Sequence, residues 1–317
     1  MITVTQAHPN IALVKYWGKA PGPGNVPATP SLSITLDTLS TTTEVEDAAR
    51  DTFVLDGALV ADRKVEDCLA RLRKRWDIPP LAIRSANNFP TAAGLASSAS
   101  GFAALITAVD AHCALNMTAE ERSDHARQAS GSAARSVFGG FVALQGPHWH
   151  GETVLDAHEW PLRVVIAIAE TERKAVSSSE GMRRSADTSP YYPAWIDTTR
   201  NDFVAALPLV RARDFAGLAE LSESSCLKMH GLMLSSRPGL LYWNAATMTC
   251  MHRIRRMRLD GLPVFFTIDA GPQVKAVCLP EAEQTVVEAL SSLEGVQRVL
   301  TAGIGQGARL LDSGGKP

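Results

Sequence analysis

Apolar and polar residues alternate through "SLSITL" at 31–36, the period of a strand with one buried face. "NIALVKYWGK" at 10–19 opens in the same way, and strict alternation predicts Ile11, Leu13 and Lys15 on one strand face. "FVLDGALV" at 53–60 predicts a hairpin that turns at Asp56-Gly57, and "LAIRSA" at 81–86 predicts a further strand. The period changes in "KVEDCLARLRKRW" at 64–76, where Val65, Cys68, Leu69, Leu72 and Trp76 recur at helical spacing. Arg71, Arg73, Lys74 and Arg75 are left mainly outward, as a solvated face or as the rim of an anionic pocket. "SSASGFAALITAVDAHCAL" at 97–115 predicts a long helix with Phe102, Leu105, Ile106 and Val109 toward a core. Thr118 with Glu121 forms a capping-box pattern that starts another.

In the second half, "LRVVIAIA" at 162–169 is a continuous β-branched run and predicts a buried strand. Helical patterns follow at 193–210, 213–230 and 241–257, before "LPVFFTI" at 262–268 predicts another strand. Strands and helices are mixed throughout, without repeat or linker, and a boundary between two halves falls near residue 160.

A chain of 317 residues makes one large domain or two ordinary ones, and 45% hydrophobic with 20% charged residues is a globular composition. A net charge of −2 gives no general attraction to nucleic acid or an anionic membrane, so any basic site is local. Cys68, Cys113, Cys226, Cys250 and Cys278 include no CxxC pair and read as reduced thiols. "MITVTQAHPN" lacks the features of a signal peptide, and no later run reaches the roughly 18 apolar residues of a membrane span. A cytoplasmic protein is expected, with neither nucleic acid nor membrane as partner.

Between the strand at 81–86 and the helix after it lies "NNFPTAAGLASSAS", 87–100, without a charge. Small residues at a helix start let an anion approach several backbone N–H groups and the positive end of the helix dipole. Ser97 and Ser98 add hydroxyls for phosphate oxygens or a magnesium ion. The loop suits a polyphosphate; equally, its small residues suit tight packing of a helix on a sheet. GxxxxGK[ST] occurs nowhere, so a nucleotide site here needs another design.

"HPNIALVKYWGK" at 8–19, "NNFPTAAGLASSASGFAAL" at 87–105, "SGSAARSVFGGFVALQ" at 130–145 and "FFTIDAGPQVK" at 265–275 resemble, in order, the motifs of the diphosphomevalonate decarboxylases. "SSSEGM" at 177–182 and "CLKMHGLML" at 226–234 join the match. That family sits in the galactokinase, homoserine kinase, mevalonate kinase and phosphomevalonate kinase (GHMP) superfamily. The resemblance implies ATP-dependent conversion of mevalonate 5-diphosphate to isopentenyl diphosphate, ADP, phosphate and carbon dioxide, with magnesium accompanying ATP. It also implies an α+β, two-domain GHMP-kinase-like fold: a ribosomal-protein-S5-like βαβ domain over 1–160, a ferredoxin-like domain over 161–317, and the site in the cleft between. Homodimers are common in the family.

Residue by residue, the resemblance makes Asp269, between the apolar strand and Gly271-Pro272, the catalytic base facing the 3-hydroxyl. An Asp before Gly-Pro is by itself a turn residue. Lys15 is matched to the transferring phosphate or the reacting end of the substrate, and Asn10 lies near it. Tyr16 and Lys19, with Trp17 and Gly18 between them, resemble holders of the substrate diphosphate. Arg135 is matched to the substrate carboxylate, for which its planar fork suits it; Ser130, Gly131, Ser132, Ala133 and Ala134 belong to the same substrate segment. Ser178, Ser179, Met182 and Lys64 complete the expected substrate set, and Pro90, Ala93, Gly94, Leu95, Ala96, Ser97 and Ser98 the ATP phosphate set. Magnesium is expected to travel with ATP, with a ligand at most from Ser97 or Ser98.

Three positions depart from the family pattern. Ala134 replaces a Cys, Gln273 an Asn, and Ser179 an Arg or Thr, the last removing a possible cation from the diphosphate. "HWH" at 148–150 brings no third ligand with it and reads as no metal site. Rival expectations are a relative that acts on mevalonate 5-phosphate or mevalonate, one that phosphorylates without decarboxylating, and a non-catalytic ligand-binding homologue. Lys15 together with Asp269 argues for the complete reaction.

Overall fold

Along the computed structural model, which describes residues 1–89, 95–170 and 175–311, six strands come first. They are β1 (Thr3–Ala7), β2 (Asn10–Val14), β3 (Ser31–Thr35), β4 (Thr41–Asp47), β5 (Thr52–Leu55) and β6 (Ala58–Leu59). Then come α1 (Arg63–Arg73), β7 (Leu81–Asn87), α2 (Ser97–His112), α3 (Ala119–Ala129), the short α4 (Ala133–Ser136), β8 (Phe141–Leu144) and β9 (Gly151–Leu155). The second half contains β10 (Arg163–Ile168), α5 (Ser178–Thr188), α6 (Tyr192–Ala212), α7 (Phe215–Leu234), α8 (Ala245–Leu259), β11 (Val264–Ile268) and β12 (Val274–Cys278). It ends with α9 (Glu283–Ser291), β13 (Arg298–Ala302) and β14 (Arg309–Leu311).

The expected hairpin forms between β5 and β6, with Asp56 and Gly57 at φ 50° and 83°, the left-handed region its turn requires. β5 and β7 are a parallel pair joined across α1, the βαβ unit of the first half. Both lie in a six-stranded sheet ordered β14-β1-β4-β7-β5-β6. Helix α2 covers this sheet and buries Ala103, Ala104, Leu105 and Ile106. Thr118 and Glu121 make the reciprocal capping box expected at the start of α3.

In the second half, β10, β11, β12 and β13 form an antiparallel sheet ordered β11-β12-β10-β13, with helices between β10 and β11 and again between β12 and β13. That is the ferredoxin-like βαββαβ arrangement. The third sheet, β2-β3-β8-β9, is closed by second-half helices, since Ile11, Leu32 and Ile34 share one core with Phe203, Ala206 and Leu218. The last strand among the described residues, β14, then returns to pair with β1, which a division into two continuous halves does not anticipate. On the way, Gly305 donates to Thr35 O at 2.7 Å and accepts from Gly140 N at 2.9 Å. The passage is so close that a Cβ on Gly305 would lie 2.0 Å from Leu36 O.

One expectation of pattern fails informatively. The alternation over 31–36 predicts a solvated polar face, yet every residue of β3 is buried. Its serines face a buried guanidinium instead of water, as the site explains.

Candidate active site

Lys15 reaches the site because its strand is irregular. A bulge between Ala12 and Val14 breaks the alternation of β2, so Ile11, Leu13 and Val14 enter the core while Asn10, Ala12 and Lys15 line a cavity. The expectation that Ile11, Leu13 and Lys15 share a face is therefore overturned; the extra residue re-aims the lysine. Its backbone N–H donates to Ser225 Oγ of α7 at 3.0 Å, and Thr267 Oγ1 of β11 donates to Ala12 O at 3.2 Å. These two bonds tie the bulged strand to the second half.

Opposite it, Asp269 follows directly on β11. Ile268 N donates to Cys226 Sγ at 3.2 Å, and its carbonyl lies 3.3 Å from His230 Nε2, so α7 holds the backbone that carries the aspartate. Thr247 Oγ1 donates to Pro272 O at 2.7 Å and tethers the far side of the turn. The side-chain amide of Gln273 bridges Ala169 N and Glu170 O. Lys15 Nζ stands 2.7 Å from Asp269 Oδ1, and Lys275 Nζ stands 3.3 Å from Oδ2. Burial alone would push the Asp269 carboxyl up, but the two ammonium groups outweigh it and hold the acid well below the usual carboxylate range. The aspartate enters the cavity as an anion.

Arg135, on α4, is 2% exposed. Its Nε donates to Ser33 Oγ at 3.0 Å, its Nη1 to Ser31 Oγ, and its Nη2 to Asn10 Oδ1 at 3.1 Å. This is what the polar face of β3 serves. Asn10 is fixed in turn by donating from Nδ2 to Ser132 O at 2.9 Å and Ser136 Oγ at 2.8 Å. Every one of these acceptors on Arg135 is neutral, and no ion pair among the described residues includes it. Burial draws its pKa down to about 10, so it remains charged near neutrality. A buried cation without a counter-ion, lining a cavity, marks the place of an anion from outside. Tyr16 lies beneath it, ring centroid 5.9 Å from the guanidinium carbon; its buried hydroxyl has no partner among the described residues, and burial pushes its pKa up to about 12.

The cavity measures about 810 Å3, a volume ordinary for a small-molecule site. Away from Asp269 it is rimmed by Lys19, Lys64 and Ser179. Lys19 Nζ donates to Asn25 Oδ1 at 2.7 Å and Ser179 Oγ at 3.2 Å; burial and the neighbouring Lys64 charge lower its pKa. Asp62 caps the start of α1 and so fixes Lys64. At another wall α2 begins: Ala96 sits at φ 56° as its N-cap, and Ser97 and Ser98 face the cavity, Ser98 Oγ 3.2 Å from Ser130 Oγ.

Of the residues expected from the sequence, Asn10, Lys15, Tyr16, Trp17, Lys19, Lys64, Ala96, Ser97, Ser98, Ser130, Gly131, Ser132, Arg135, Ser178, Ser179, Met182 and Asp269 all line this one cavity. Gly18, Leu95, Ala133 and Ala134 are not on its wall. Ala133 and Leu95 are buried in hydrophobic clusters, Ala134 is fully buried in α4, and Gly18, at φ 118°, leaves the room that Tyr192 Oη occupies. Pro90, Ala93 and Gly94 lie outside the described residues. Sequence reasoning missed Lys275, although a lysine inside the otherwise apolar "VKAVC" was a visible signal. Of the two readings open for Arg71, a solvated face or the rim of an anionic pocket, the second fits: it lines the cavity with Nε and Nη2 buried and without a hydrogen-bond partner among the described residues.

Comparison with known proteins agrees over both halves. The sequence model of the diphosphomevalonate decarboxylase-like N-terminal domain matches residues 7–154, and that of the mevalonate 5-diphosphate decarboxylase C-terminal domain matches residues 164–307. The diphosphomevalonate decarboxylase of Eremothecium gossypii is 34% identical over 93% of this chain and 82% of its own length. The human diphosphomevalonate decarboxylase is 34% identical over 90% of this chain and 78% of its own. The crystal structure of mevalonate diphosphate decarboxylase from Staphylococcus aureus superposes with a TM-score of 0.90 at 31% identity, covering 98% of this chain and 99% of that one. A solved structure of MDDEF in complex with MVAPP, AMPPCP and magnesium gives 0.90 at 35% identity, covering 99% of each. Alike in sequence and in fold through both halves, the chain belongs to the diphosphomevalonate decarboxylase family.

Proposed function

We propose that the protein converts mevalonate 5-diphosphate and ATP to isopentenyl diphosphate, ADP, phosphate and carbon dioxide. The observation that carries this reading is the meeting, in one cavity, of an ionised Asp269 paired with Lys15 and a buried Arg135 without a counter-ion. Hydroxide is a poor leaving group, so the 3-hydroxyl is phosphorylated before carbon dioxide departs. Asp269 orients that hydroxyl and takes its proton as the oxygen bonds to phosphorus. Lys15 balances the charge of the transferring phosphoryl. Arg135 holds the substrate carboxylate; when the phosphate leaves C3, the electrons of the carboxyl C–C bond form the new double bond, and carbon dioxide is released.

Lys19 and Lys64 are suited to the diphosphate, and the start of α2 with Ser97, Ser98 and Ser130 to the ATP phosphates. The two α2 hydroxyls fit magnesium, a hard cation that takes oxygen donors, and among the described residues no cluster of His, Cys, Asp or Glu competes for it. When bound there it would neutralise charge on the triphosphate. The relative solved with MVAPP, AMPPCP and magnesium supports this set of ligands.

The test is an assay of purified protein with ATP, magnesium and, separately, mevalonate 5-diphosphate, mevalonate 5-phosphate and mevalonate, reading ADP and carbon dioxide. Equal yields of both products from the diphosphate are expected. Turnover of the monophosphate alone would favour the second reading, a monophosphate decarboxylase, for which Ser179 in place of a cation is the argument. ADP without carbon dioxide would overturn the decarboxylase reading. From the resemblance we also propose a homodimer in the cytoplasm; a monomer in sedimentation, or a membrane pellet on fractionation, would contradict it.

A further inference from the structure

We propose that Lys275 is a positioning residue for the reaction: it is the standing counter-ion of Asp269, which leaves Lys15 free to move onto the transferring phosphoryl. The inference rests on the reading of Asp269 as the base. It begins from an imbalance. One carboxylate is flanked by two buried ammonium groups, Lys15 at 2.7 Å on Oδ1 and Lys275 at 3.3 Å on Oδ2. Burying a second lysine carries a desolvation cost that only its attraction to the carboxylate offsets.

The two lysines are placed differently. Lys15 lines the cavity, whereas Lys275 does not; it is 1% exposed on β12, opposite Thr267 on β11 and Ile166 on β10. Its strand is buried along its whole length, so the ammonium approaches the carboxylate from the protein side and cannot follow a ligand. Lys15 faces both the carboxylate and the space where phosphoryl oxygens arrive. Without Lys275, Asp269 would lose the one ammonium paired with it when those oxygens draw Lys15 away, and its affinity for a proton would rise out of step with the reaction. Lys275 keeps the carboxylate ionised and its plane fixed through that exchange.

The titratable and charged groups facing Asp269 are Lys15 beyond β2, Lys275 on β12, Arg135 on α4, and Cys226 and His230 on α7. Burial lowers the His230 pKa to about 3 and raises the Cys226 thiol to about 11, so both stay neutral across the working range. An acid limb that moves when Lys275 is changed therefore belongs to Asp269.

The experiment compares kcat, KM and their pH profiles for the wild type, Lys275→Met, Lys275→Gln and Lys275→Arg, with Asp269→Asn in parallel. Loss of one of two cations raises the Asp269 pKa, so its active anion is lost at higher pH than in the wild type. The expected result for Lys275→Met and Lys275→Gln is a kcat lower by ~10- to 100-fold, a KM within about threefold, and an acid limb displaced upward by about one pH unit or more. Lys275→Arg, which keeps the charge, should restore the limb toward the wild-type position. A lowered melting temperature with kcat and the pH profile unchanged would show a merely structural lysine and overturn the proposal. Activity retained in Asp269→Asn would instead overturn the base assignment on which it rests. Should the Lys275 variants not fold, Lys15→Met with 13C-labelled aspartate decides: Asp269 stays ionised below the ordinary carboxylate pKa if Lys275 is its counter-ion, and titrates above it if not.

Discussion

The two ends of the cavity are built in opposite ways. At the reacting end Asp269, Arg135 and Asn10 each bond to two or more neighbours, and Lys15 and Arg135 are 1% and 2% exposed. At the end proposed for phosphate, Lys19 and Lys64 line the cavity, and burial together with the Lys64 charge lowers the Lys19 pKa. Chemistry with a tertiary alcohol tolerates little displacement, so its groups are held by strands and by α7 before any ligand arrives. Phosphate binding needs net positive charge more than fixed geometry. Lys19 donates to the neutral oxygens of Asn25 and Ser179, which an arriving anion can replace.

Five measurements would break or sharpen this contrast. The largest effect is expected from Asp269→Asn, with kcat down by ~10³- to 10⁴-fold and substrate KM within a few-fold, followed by carbon dioxide release. A comparable rise in KM would mean that the reacting end binds rather than reacts. Next is Arg135→Lys, which keeps the charge and loses the fork; kcat/KM should drop by ~10- to 100-fold, in the range of one or two charge-assisted hydrogen bonds. Wild-type activity there would show that the bonds to Ser31, Ser33 and Asn10 have no role in orientation.

Lys19→Met or Lys64→Met should raise KM for the diphosphate by about tenfold and leave kcat nearly unchanged, with a weaker dependence of KM on salt. A loss in kcat instead would erase the distinction between the ends. Because the Lys19 pKa is lowered, its charge is lost as pH rises before an ordinary lysine would lose it, so KM of the wild type should climb early on the alkaline side. The smallest effect is expected of Asp62→Ala, which removes the side-chain cap of α1 at a cost of about 1 kcal/mol and raises KM less than twofold. Calorimetry and steady-state kinetics read both.

Much of this was legible from residues alone, because motif chemistry is local. Asn10, Lys15, Tyr16, Trp17 and Lys19, the segment around Arg135 and the aspartate before Gly271-Pro272 line one cavity. The misreadings came where tertiary structure reassigns a pattern. Ser31 and Ser33 look like the wet side of a strand, since nothing in "SLSITL" announces an arginine from a segment over a hundred residues later. The bulge that turns Lys15 into the cavity depends on pairing with β3 and leaves no mark in the period of β2. The lysine inside "VKAVC" is visible in the sequence, but its partner is not, since Lys275 meets Asp269 only once β12 lies beside β11.

The closing strand has a consequence for how the molecule is made. β1 pairs with β14 across 303 positions of sequence, Gln6 opposite Arg309. At a translation rate of ~5–20 residues per second, one edge of the first sheet stays open for roughly 15–60 s after β1 leaves the ribosome. Until then β1 has only β4 beside it, and its outer N–H and C=O groups are open to another nascent chain. The reacting groups of the first half, Asn10 and Lys15 at β2 and Arg135 on α4, would already be synthesised while the neighbouring six-stranded sheet still lacked β14, so a pulse-labelled chain should gain full protease resistance in that sheet only once β14 has been made.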